Sequence, residues 1–130
     1  MTRAMVFVGN SAFQEILKNI FHSRFPSVEL LAAGDGMTPM EKIESLLPDL
    51  ILIDIELPGD NALELTRKIK NRHPEIVVIL LSSHDLPEYR EAAYRQGADY
   101  FITKDSSVGD YFGLIESILF SRVPVAKNAS

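Results

Sequence analysis

Leu50-Ile51-Leu52-Ile53-Asp54-Ile55-Glu56-Leu57-Pro58-Gly59 is the stretch that decides the fold. Apolar residues run unbroken into a single aspartate, and a Pro-Gly turn follows. An apolar run of this kind, closed by turn residues, is the pattern of a strand buried on both faces. Asp54 then stands at the carboxyl end of that strand. In open parallel α/β sheets, that edge is where ligands bind.

The same pattern recurs on either side. Ala4 to Val8 reads as a first buried strand ended by Gly9-Asn10, and Val28 to Ala33 as a second. Ile76 to Leu81 and Tyr100 to Thr103 supply two more. Helical segments separate them. Ser11-Ala12-Phe13-Gln14 has the spacing of a capping box, so a helix is expected from Ala12. Its apolar residues Phe13, Ile16, Leu17, Ile20 and Phe21 fall on one face, and Pro26 stops it. Thr38-Pro39-Met40-Glu41 is a second capping box, with proline at the first helical position. Asn61 caps a third helix that turns Leu65 and Ile69 inward. Asp85-Leu86-Pro87-Glu88 opens a fourth, closed by Gly97. Ser106 or Ser107 caps a last helix with inner face Val108, Phe112, Ile115 and Leu119. The expected fold class is therefore α/β, a doubly wound (βα)5 parallel sheet with right-handed crossovers. The domain is expected over residues 1–121, with 122–130 as a tail or linker stump.

Composition narrows the possible functions. A chain of 130 residues, 46% hydrophobic, makes one domain with a real core. A net charge of −5 argues against nucleic-acid binding by this chain. Without cysteine there are no disulfides or thiolate metal sites. No segment approaches a membrane span, and the N-terminal apolar run is too short for a signal peptide. A cytoplasmic location is expected.

On this fold the strand ends collect Gly9, Asn10 and Ser11, then Asp54 and Glu56, then Ser82, Ser83 and His84, then Lys104. A carboxylate oxygen there can attack a phosphoryl group. A hydroxyl and an ammonium can hold the transferred oxygens, and a divalent cation can offset the charge. Each residue also has an ordinary reading. Asp54 can pin a loop, Lys104 can be solvated, Ser82 can satisfy its strand end, and Phe101 can be plain core. Gly9-Asn10 is good turn chemistry. His22, His73 and His84 lack zinc spacing. The first two read as surface residues, and His84 as a loop histidine close to the site. Tyr89, Tyr94 and Tyr111 suit a partner face or half-buried packing equally.

Several motifs, in order and at matching strand ends, resemble the receiver domain of two-component response regulators. They are Asp54 with Pro58-Gly59, the Leu81-Ser82-Ser83 strand end, Gly97-Ala98-Asp99, and Phe101 followed by Lys104-Asp105. The match runs over residues 4–121, and His73-Pro74-Glu75 with Ser82 to Tyr89 is most similar to receivers that precede helix-turn-helix outputs. The resemblance implies a flavodoxin-like strand order 2-1-3-4-5. It also implies that Asp54 accepts a phosphoryl group from a sensor histidine kinase or phosphotransfer protein. Ser82 and Lys104 would contact the acyl phosphate, and Phe101 would respond to Ser82. The shift would pass through the fourth helix, fifth strand and fifth helix to a partner, with a homodimer among the expected assemblies. Glu56 and His84 stand where they can modulate loss of the phosphoryl group.

One departure from the family pattern is large. Receivers usually carry two adjacent acids after the first strand, which bind Mg²⁺ together with the phosphoacceptor. Here Gly9-Asn10 takes their place, leaving Asp54, the Asn10 side chain and the Glu56 backbone carbonyl as metal ligands. Mg²⁺ prefers octahedral carboxylate and water oxygens, so weakened metal binding is expected. Tyr100 and Ala62 also replace common glycines. The alternative is a degenerate receiver that works as a protein-interaction module without phosphorylation. An enzyme is not expected. A flavin-binding reading needs a phosphate cradle richer than Gly9-Asn10-Ser11-Ala12-Phe13, and a hydrolase lacks a histidine-activated nucleophile.

Overall fold

The computed structural model describes residues 2–31, 37–57, 61–103 and 113–118. Strands β1 (Thr2–Phe7), β2 (Val28–Leu30), β3 (Leu50–Asp54), β4 (Val77–Ser82) and β5 (Tyr100–Thr103) alternate with helices. The helices are α1 (Ser11–Arg24), α2 (Pro39–Leu46), α3 (Ala62–Arg72) and α4 (Pro87–Arg95). Residues 113–118 are also helical and are called α5. The five strands form one sheet in the order β2-β1-β3-β4-β5, as the resemblance implies, and the pairings are all parallel.

Every residue of β3 is buried, which explains its unbroken apolar run. Its side chains alternate between two cores. Ile51 and Ile53 pack with Ile43, Leu65, Ile69 and Ala93 from α2, α3 and α4. Leu50 and Leu52 pack with Leu17 and Phe21 of α1 and Ile115 of α5. A central strand that serves both cores brings its carboxyl end to the sheet's edge already held from both sides.

Local signals set most helix starts. Thr38 and Glu41 form the expected capping box, and Asn61 caps α3 by accepting from Glu64 N. The first helix differs by one residue. Asn10, not Ser11, is the N-cap, and its Oδ1 accepts from Phe13 N at 3.0 Å. Both residue types are good caps, and spacing alone does not choose between them. The expected inner face of α1 is also narrower than its pattern, because Ile16 is 50% exposed. Asp85 does not cap α4; Leu86 does, without a side-chain bond, and Pro87 removes one of the donors that would need it. Strand β2 ends at Leu30, and Ala32 and Ala33, also expected in it, lie outside the described residues. The expected caps Ser106 and Ser107, with Val108, Phe112 and Leu119, lie outside the described residues, whereas Ile115 is buried as expected.

A buried ion pair ties three elements behind the sheet. Lys70 of α3 sends Nζ to Asp99 Oδ2 at 2.8 Å, Ile76 O at 2.6 Å and Pro74 O at 2.9 Å. Asp99 also accepts from Val78 N at 2.8 Å. The turn before β5 needs Gly97, which sits at φ +99° with the Lys70 stem 3.3 Å from where a Cβ would stand.

Candidate functional site

Asp54 ends β3 and is 3% exposed. A buried carboxylate needs hydrogen-bond partners. The chain supplies one locally: Glu56 N donates to Asp54 Oδ1 at 2.9 Å, while Leu57 N donates to Asp54 O at 3.0 Å. Ile55 N donates to Leu81 O at 2.7 Å, extending the ladder one step past Asp54. The residue is thereby oriented at the strand end by its own turn.

Register brings the next strand's hydroxyl alongside. Asp54 pairs with Leu81, so Ser82 stands one residue further on β4. Ser82 is fully buried. Its Oγ donates to His84 O and accepts from His84 N, both at 3.0 Å. Ser83 N donates to Glu56 Oε1 at 3.1 Å, joining the loop after β3 to the loop after β4.

Phe101 lies on β5 opposite Leu80 and is 5% exposed, within the core that contains Ile53 and Ala93. Arg90 covers it, with the guanidinium carbon 4.9 Å from the ring centroid and Nη2 3.2 Å from Asp85 Oδ1. The His84 ring is 6.2 Å from that of Tyr89. Asp54, Glu56, Ser82, Ser83 and His84 are therefore linked at one edge of the sheet. Lys104 and Pro58-Gly59 lie outside the described residues. His73 is not a plain surface residue: Nε2 is 3.1 Å from Glu44 Oε2. The Glu56–Ser83 bond and the Arg90 cover were not anticipated, because both join residues with no periodic relation in the sequence.

The donors that could hold Mg²⁺ are few. One oxygen of Asp54 accepts from Glu56 N, the Asn10 oxygen is used in capping α1, and Gly9 has no side chain. Among the described residues, no group of three His, Cys, Asp or Glu side chains could hold a metal ion. Receiver domains generally bind Mg²⁺ for phosphorylation, but this donor set does not fit a tight carboxylate-rich site. None of the described helices is long and apolar enough to cross a membrane.

The family model for the response regulator receiver domain matches residues 9–116. The transcriptional regulatory protein DegU of Brevibacillus brevis is 36% identical over 107 residues, covering 82% of this chain and 44% of DegU. The DNA-binding transcriptional regulator NtrC of Escherichia coli K12 is 34% identical over 82 residues, covering 63% of this chain and 18% of NtrC. This chain thus spans less than half the length of either relative. In structure, a DNA-binding response regulator of the LuxR family from Staphylococcus aureus superposes with a TM-score of 0.76 at 27% identity, covering 91% of this chain and 98% of that one. A family match over most of the chain and the shared sheet order agree: the chain belongs to the response regulator receiver domain family.

Proposed function

We propose that Asp54 is the phosphoacceptor of this receiver. A carboxylate oxygen attacks the phosphorus of a phosphohistidine on a sensor kinase or phosphotransfer protein. The O–P bond forms as the P–N bond breaks, and the electron pair leaves with the imidazole nitrogen. Water later returns the carboxylate and releases inorganic phosphate. Ser82 turns its hydroxyl from His84 O toward a phosphoryl oxygen, and Lys104 supplies an ammonium there. Phe101 responds to the movement of Ser82, and the change reaches a partner through α4, β5 and α5 as a population shift. Glu56 and His84 modulate the lifetime of the acyl phosphate. Asp54, the Asn10 side chain and the Glu56 backbone carbonyl are the oxygens that would hold Mg²⁺, which would supply charge neutralisation there.

The observation that carries this reading is the placement of Asp54. It is buried, oriented by the Glu56 amide, and one register step from the buried Ser82 hydroxyl. The phosphorylation-independent alternative is not favoured, because it leaves this arrangement without a use. The working unit is assigned to residues 1–121, with 122–130 as tail or linker, in a cytoplasmic protein that can form homodimers. The chain itself is a signalling module rather than an enzyme.

A small-molecule phosphodonor, with and without Mg²⁺, tests the proposal. A mass increase of one phosphoryl group, absent in Asp54→Asn, is the expected result. No increase under any metal condition overturns it.

A further inference from the structure

We propose that the Glu56 carboxylate is a built-in gate on the oxyanion site. It occupies the Ser83 amide and must leave before a phosphoryl group on Asp54 can use that donor. The inference rests on Asp54 being the acceptor and adds how the site is regulated.

Glu56 touches the site twice. Its backbone N–H orients Asp54, and its side chain accepts from Ser83 N at 3.1 Å. Ser83 directly follows Ser82, on the strand adjacent to that of Asp54. A peptide N–H at this edge is a natural partner for an incoming oxyanion. In the structure a carboxylate already satisfies it. Ser82 is likewise turned inward, to His84. The Ser83 amide and the Ser82 hydroxyl are thus both engaged within the protein.

Competition and charge act in the same direction. Glu56 and Ser83 are both exposed, so their bond exchanges with water and delays entry rather than forbidding it. If the clasp is closed in about four molecules out of five, apparent oxyanion affinity falls about fivefold, because only the open fraction binds. Once displaced, the carboxylate remains tethered close to the phosphoryl charge and repels it.

Beryllium fluoride, in excess Mg²⁺, is the probe, read by amide resonances of the full ¹⁵N-labelled chain. Glu56→Ala is expected to bind it about five to ten times more tightly than wild type. Glu56→Asp keeps the charge but shortens the reach, and Glu56→Gln keeps the reach without the charge. Both should fall between wild type and Glu56→Ala. In the free protein, the Ser83 amide should exchange with solvent faster in Glu56→Ala, a readout that needs no ligand. Equal affinity in wild type and Glu56→Ala overturns the gate and leaves the acceptor intact. Failure of every variant to bind beryllium fluoride overturns the gate, and the acceptor falls with it only where the phosphodonor also gives no mass increase.

Discussion

The Ser82 hydroxyl holds two bonds to one residue, donating to His84 O and accepting from His84 N. In a fully buried position this makes it a loop fastener before any phosphate arrives. Removing it should therefore be felt twice. Ser82→Ala is expected to lose about 1 kcal/mol of stability, the usual net worth of a buried hydrogen bond. It should also slow labelling by a phosphodonor, whereas Ser82→Thr keeps the hydroxyl and restores both. Urea unfolding and a labelling time course measure the two effects. Wild-type labelling by Ser82→Ala would remove the hydroxyl from the phosphoryl site and leave only the fastener. Asp54 differs in this respect. Asn at that position still offers Oδ1 to the Glu56 amide, so chemistry can be deleted with little change in the loop.

Elements were readable in the sequence where their signals are local. The five apolar runs specify the sheet because burial on both faces demands them, and β5 falls on Tyr100–Thr103 as expected. Thr38 with Glu41, and Asn61, cap helices within three residues of their partners. What joins the elements was not readable. Asn10 displaced Ser11 as a cap because both chemistries suit the position. Glu56 meets Ser83 across 27 positions, and Lys70 meets Asp99 across 29. Such pairs depend on which strands become neighbours, and no periodicity records that. The Lys70–Asp99 pair makes its own prediction. Both side chains are nearly buried, at 9% and 5% exposure, and the ammonium's three acceptors join α3 to the start of β4 and the turn before β5. Lys70→Met leaves the Asp99 charge buried without its cation, which should cost about 3–5 kcal/mol. Replacing Asp99 as well should recover part of that loss. A loss below about 1 kcal/mol by urea unfolding, the value typical of exposed pairs, would show that the pair is solvated and not a staple.

At the scale of the whole molecule, one sheet serves two cores, so loosening either helix layer acts on the strand that carries Asp54. Helix α2 carries two acids held in hydrogen bonds. Glu41 accepts from Thr38 N at 2.9 Å, and this backbone bond lowers its carboxyl pKa below the ordinary value. Glu44 is lowered chiefly by its hydrogen bond from His73 and further by Arg72 Nη1 at 2.8 Å, which together tether α2 to the end of α3. A carboxyl whose pKa is depressed on folding stabilises the protein above its unfolded pKa. That contribution is lost as the pH falls through the folded value. Stability should therefore hold from neutrality down to about pH 5 and decline below it. Glu44→Gln should flatten part of the decline, because the glutamine cannot lose a charge, and it should lower stability slightly at neutral pH. Urea midpoints between neutral and acid pH follow both. Parallel curves for wild type and Glu44→Gln would mean that acid acts elsewhere on the molecule and that the α2–α3 tether does not set its tolerance.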